Sequence, residues 1–171
     1  MKDLKIPKVT FKTREGDFSN DPDVCAIGGK WINKSTNDFF LKKRVVLFSL
    51  PGAFTPTCSS QQLPGFEKNF EKIKSLGIDE IYCVVVNDIY VAKSWSDFTG
   101  SGKAGINVIT DPLSILAEEL DAEFSVKGTG LLRRLQRFTM IINDRKIEKL
   151  YFEKERGVCD ATSAKSILND L

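Results

Sequence analysis

The sequence predicts an α/β protein with a central mixed β-sheet flanked by helices. Three observations carry the prediction. Residues 45–50 (VVLFSL) and 80–86 (EIYCVVV) are continuous apolar runs rich in β-branched residues, as in strands buried on both faces. Between and after them, apolar residues recur at helical spacing. A hairpin pattern, residues 138–152, then precedes a last amphipathic segment.

The elements follow in order. Val9, Phe11 and Thr13 alternate as in a short strand, turn residues fill the stretch between Gly16 and Gly29, and Trp31 and Ile32 start another strand. Ser35 to Asp38 can cap a short helical turn ending near Lys43. Pro51-Gly52 stops the first buried strand. Leu63, Phe66, Phe70, Ile73 and Leu76 then mark one face of a helix that ends at Gly77, with Pro64 requiring a kink or a distinct first turn. After the second buried strand, Val91, Trp95 and Phe98 suggest a helix. Residues 106–109 form a short strand. Asp111 and Pro112 fit an N-cap and first helical position, with Leu113, Leu116, Ala117 and Leu120 as the inner stripe. Residues 125–134 read as a loop holding a basic cluster. Residues 138–142 and 147–152 pair across a turn, and Ala164, Ile167, Leu168 and Leu171 face inward on the last helix. This order suits a thioredoxin-like fold with an N-terminal extension and an inserted strand–helix unit. No linker or repeat divides residues 1–171, so a single domain is expected.

Composition narrows the chemistry. With 25 Lys and Arg against 23 Asp and Glu, the net charge of +2 gives no reason to expect a nucleic-acid or membrane partner. No apolar stretch approaches the ~20 residues of a membrane span. The first ten residues are polar and basic, which predicts a cytoplasmic protein with reduced cysteines. The chain has no histidine, which removes Cys-His and Ser-His-Asp nucleophile systems and His-containing metal sites. No metal or other cofactor is expected. The four cysteines, Cys25, Cys58, Cys83 and Cys159, form neither a CxxC pair nor a zinc ligand set.

One stretch concentrates reactive chemistry. Residues 51–58 read PGAFTPTC and sit where a buried strand gives way to a helix, the usual place for active sites in an open α/β sheet. Cys58 falls in the first helical turn, where unpaired N–H groups and the helix dipole favour a thiolate. The Thr55 hydroxyl lies on the approach to that turn, and Pro51 and Pro56 stiffen the loop. Arg137 ends the series Arg133, Arg134, Arg137. The first two read as a solvated patch, while Arg137 adjoins a buried strand and can reach a site at the sheet's end.

These residues resemble the peroxiredoxin family. Its pattern of Pro, three residues, Thr, two residues, Cys is met by Pro51, Thr55 and Cys58. LPGAFTPTCSSQQLPGF over residues 50–66, CVVVND over 83–88, Trp95 and RFTMIIND over 137–144 are similar to the type II, or peroxiredoxin 5-like, branch, with Leu50 where valine is common. The resemblance covers residues 6–171. It implies a thiol-dependent peroxidase that reduces hydrogen peroxide and alkyl hydroperoxides. Cys58 would be oxidised to a sulfenic acid, Thr55 would bind the peroxide and hold the sulfur, Arg137 would stabilise the shifting charge, and Pro51 would shield the sulfur. The backbone N–H groups of Gly52 and Cys58 would face the peroxide. Glutathione with glutaredoxin, or thioredoxin, would restore the thiol, with Cys159 or Cys83 as resolving cysteine or with none. The branch also implies a homodimer, with Phe54 and the Leu63-Pro64 region as contacts. The competing readings are a non-catalytic thioredoxin-like binding module and a redox-sensing or chaperone module. A disulfide reductase is disfavoured because Thr55 and Gln61 stand where a second cysteine would be needed.

Overall fold

The computed structural model describes residues 4–18 and 28–171; Cys25 and the turns expected around it lie outside the described residues. Strands β1 (Thr10–Phe18) and β2 (Gly28–Ser35) pair antiparallel, and Ser35 caps helix α1 (Thr36–Phe40) with Asp38 completing a capping box. The main sheet contains β3 (Arg44–Ser49), β4 (Glu80–Val85), β5 (Asn107–Thr110), β8 (Phe138–Asn143) and β9 (Lys146–Phe152) in the order β5-β4-β3-β8-β9. Strands β3, β4 and β5 are parallel, and β8 and β9 add antiparallel on the other side.

Both faces of this sheet are buried, which is why its central strands are uninterrupted apolar runs. Val46, Phe48, Ile81, Cys83 and Val85 face one layer with Leu63, Phe66, Ile73, Trp95 and Ile167. Val45, Leu47, Tyr82, Val84 and Met140 face the other, with Phe11, Phe40 and Leu116. The first layer is built from α2 (Leu63–Lys68), α3 (Phe70–Ser75), α4 (Ile89–Thr99) and α6 (Ala164–Ile167), and Phe66 stacks on Phe48 with ring centroids 4.0 Å apart. Helix α5 (Ile115–Glu119) belongs to the second.

Four expectations change. Leu76, Phe98 and Leu113, read as inward, are exposed. Each lies at or near the end of its helical stretch, where one turn more or less rotates a residue off the buried stripe. Asp111 does cap a helix, but from a distance: its carboxylate accepts from the N–H groups of Ile115 and Leu116 at 3.0 and 2.9 Å, and Pro112 sits in the intervening turn. Residues 125–134 are not a loop. They form most of a hairpin, β6 (Glu123–Val126) and β7 (Leu131–Leu135), whose short strands are hidden in the sequence by Gly128, Gly130 and the Arg133-Arg134 pair. Finally, Leu63, read both on the inward helical face and in a dimer-contact region, is fully buried in the core, as the inward reading requires.

The chain leaves β7 and enters β8 through Gln136 and Arg137, and buried Ser49 fixes this passage. Its hydroxyl donates to the Gln136 carbonyl at 2.6 Å and accepts from the Phe138 N–H at 2.9 Å. Ser49→Ala strips a buried N–H of its only side-chain acceptor. It should cost about 1–3 kcal/mol of stability, read as a lowered urea midpoint with an unchanged slope.

Candidate active site

Cys58 lies where β3 ends and the helix begins. Strand β3 stops at Ser49, Pro51 turns the chain, and helical backbone starts at Pro56, whose missing N–H is harmless at a first helical position. Cys58 therefore occupies the first turn, as its spacing predicts. From Cys58 to Gln62 the turn is widened to a π-helix, closed by the Leu63 N–H on the Cys58 carbonyl. Pro64 explains the widening. Its ring clashes with the carbonyl four residues back, and it brings no N–H to bond there. The distinct first turn expected from Pro64 is thus present.

The sulfur faces a guanidinium. Arg137 is 4% exposed, and its Nη1 and Nη2 donate to Cys58 Sγ at 3.5 and 3.6 Å. The same Nη1 also donates to the Gln62 side-chain oxygen. The cation is thus placed where negative charge on sulfur, or on oxygens bound beside it, is stabilised. Thr55 donates its hydroxyl to the Gly52 carbonyl at 2.8 Å. The expected contact between this hydroxyl and the sulfur is not made. Its oxygen nevertheless keeps lone pairs that can accept from a hydroperoxide O–H. Pro51 and Gly52 are buried, and Pro51 lines a cavity with Thr55 and Arg137.

Gly52 lies close to two side chains. A Cβ there would lie 3.0 Å from Arg134 Nη1 and 3.4 Å from Asn87 Oδ1. Asn87 in turn accepts from the Ala53 N–H at 2.8 Å, which ties the loop to the end of β4. Arg133 is exposed and pairs with Glu118 and Glu123, as a solvated patch should, whereas Arg134 is half-buried with its guanidinium against Gly52. Sequence reasoning did not single out Gln62, Asn87 or Ser49. Only Gln62 left a signal, since four residues after Cys58 is the same helical face.

The remaining thiols differ in setting. Cys83 is fully buried on β4 in the layer that holds Cys58, and burial pushes its thiol well above the ordinary range. Cys159 is half-buried in the loop before α6; burial raises its thiol and the Arg137 charge opposes that. Among the described residues, no three His, Cys, Asp or Glu side chains gather as a metal site, and no helix is long and apolar enough to cross a membrane.

The redoxin family profile matches residues 5–168. A peroxiredoxin of Synechocystis is 40% identical over 154 residues, covering 90% of this chain and 78% of that one. The chain is a peroxiredoxin. A second relative, a peroxiredoxin of Sinorhizobium fredii, is 37% identical over 155 residues, covering 88% of this chain and 77% of its own length. Among solved structures, reduced Prx3 of Vibrio vulnificus in complex with hydrogen peroxide superposes with a TM-score of 0.83 at 28% identity, over 99% of this chain and 98% of that one. The thioredoxin-like fold and thiol peroxidase activity read from the sequence are those of this peroxiredoxin.

Burial sets the order in which its thiols react. In the native protein at pH 8, an uncharged alkylating reagent should label Cys159 well before Cys83, and Cys83 should label only on unfolding. Peptide mass spectrometry against time reads the order, and labelling of Cys83 at the rate of a free thiol would contradict its placement.

Proposed function

We propose that Cys58 is the nucleophile of this peroxidase, acting on hydrogen peroxide and alkyl hydroperoxides. The observation that carries the reading is the buried Arg137 fork on Cys58 Sγ. The thiolate attacks the terminal oxygen of ROOH. An S–O bond forms, the O–O bond breaks, and RO⁻ leaves with the bond pair and takes up a proton as ROH. Sulfur is left as sulfenic acid. Arg137 faces the charge as it passes from sulfur to the leaving oxygen. Thr55 accepts from the peroxide O–H, the N–H groups of Gly52 and Cys58 donate to its oxygens, and Pro51 shields the sulfur. A redoxin that only binds partners would have no use for a cation buried against this atom.

Cys159 is the better placed of the two resolving candidates. It is half-buried in a loop, which moves more readily, whereas Cys83 would have to leave a central strand. The Cys159 thiol attacks the sulfenic acid, giving a Cys58–Cys159 disulfide and water. Thioredoxin, or glutathione with glutaredoxin, then reduces that bond. The free state of Cys58, Cys83 and Cys159 suits a reducing compartment such as the cytoplasm. Phe54 and Phe98 are 53% and 76% exposed, with ring centroids 5.7 Å apart beside the active-site loop. This aromatic pair supports a homodimer packed there.

Cys58→Ser should abolish peroxide consumption, and Arg137→Met should lower kcat/KM about 10²–10³-fold. Cys159→Ser should lose thioredoxin-dependent turnover while Cys83→Ser keeps it. Full turnover in Cys159→Ser would make the cycle one-cysteine. Phe98→Glu should shift the mass measured by light scattering from dimer to monomer.

A further inference from the structure

The cavity lined by Arg137 and Thr55 is far larger than hydrogen peroxide requires. It encloses about 290 Å3, whereas a single water takes up ~30 Å3. Arg137, whose guanidinium touches Cys58 Sγ, and Thr55 are among its lining residues. Its lining is mainly apolar, with Pro51 and Pro56 of the active-site loop and Phe124, Val126 and Leu131 of the β6–β7 hairpin, and it also includes Thr57 and Thr129. Arg156 is the only other charged residue among the described residues that line it.

Arg156 is exposed and lies against an aromatic wall. Its Cζ is 5.7 Å from the centroid of the Phe124 ring, and among the described residues it has no hydrogen bond or carboxylate partner. A contiguous cavity of about 270 Å3 shares Pro51, Phe124, Arg137 and Arg156, and adds Glu153, Lys154 and Glu155. Glu153 Oε1 there already accepts from Asp160 and Thr162, and the charge of Lys154 equals that of Glu155 in magnitude and opposes it in sign. One pocket thus offers a guanidinium at the reacting sulfur, an apolar passage, and an unpaired guanidinium elsewhere on its lining.

We propose that this pocket selects apolar organic hydroperoxides that carry a carboxylate, such as those of fatty acids, with Arg156 binding the carboxylate. The planar fork of arginine matches a carboxylate with two parallel hydrogen bonds. Phe124 and Leu131 shed water onto the chain between the two ends. Hydrogen peroxide uses neither feature, and an uncharged alkyl hydroperoxide uses only the walls. Anchoring at Arg156 also keeps the carboxylate from occupying Arg137, so that the hydroperoxide group reaches Cys58. The inference rests on the reading of Cys58 as the nucleophile.

A single-turnover measurement separates the two claims. Pre-reduced protein is mixed, without any thiol, with hydrogen peroxide, with linoleic acid hydroperoxide below its micellar concentration, or with the methyl ester of that hydroperoxide. Omitting thiols excludes the carboxylates of glutathione as a source of the effect. Oxidation is followed by the fluorescence of buried Trp95, whose Nε1 donates to Ser59 beside Cys58. Sulfenic acid and the Cys58–Cys159 disulfide that follows it are counted together by mass. The ratio of acid to ester rate constants should exceed one in the wild type. It should fall about fivefold to tenfold in Arg156→Gln, recover in part in Arg156→Lys, and fall in the wild type at high salt. An equal ratio in wild type and Arg156→Gln overturns the role of Arg156. Failure of hydrogen peroxide itself to oxidise Cys58 overturns the underlying reading instead.

Discussion

Arg137 is a cation removed from water, and a charge in that position is costly unless partners replace its hydration. Two of those partners are in the helical segment after β3: the Cys58 sulfur and the Gln62 oxygen. They lie four residues apart, so both point at the same guanidinium only because the backbone between them is helical. The π-turn alters their spacing, and Pro64 imposes the π-turn. Trp95 reaches across from α4 to hold Ser59, which pins the widened turn to the layer behind it. Widened turns of this kind are frequently found at functional sites.

The same arginine is held from its backbone. Ser49, at the end of β3, bonds the residues on either side of it, and the Glu153 N–H donates to its carbonyl at 3.1 Å. Cation and sulfur therefore rest on one rigid support, since Ser49 ends the strand that leads into the Cys58 loop. A site assembled from adjoining sheet strands holds its geometry better than one assembled from loops alone. The loop that carries Thr55 is tied separately through Asn87 at the end of β4.

Beyond this support the surroundings loosen toward solvent. The β6–β7 hairpin makes an apolar wall without joining the main sheet, and the segment after β9 brings Arg156 and Cys159 alongside. Chemistry common to peroxides sits on the sheet, while the features that distinguish one peroxide or one reductant from another sit on the hairpin and loop. Such segments vary with little cost to the core, because few buried contacts depend on them.

Local patterns set much of this protein in advance. Continuous apolar runs named β3, β4 and β8, the PGAFTPTC stretch placed Cys58 in a first helical turn, and the absence of histidine left arginine as the cation for it. Strands buried on both faces, proline stops and caps are written in neighbouring residues, so they are legible without the fold. Other features were decided only by tertiary structure. Gln62 and Ser49 are ordinary polar residues until Arg137, many residues away, arrives between them. The strands of the β6–β7 hairpin are too short and too broken by glycines and arginines to read as strands, and Thr55 bonds Gly52 rather than sulfur because of how the loop closes. The reason is physical: a hydrogen bond or an ion contact depends on positions in space, and chain segments far apart in sequence acquire those positions only when the core packs.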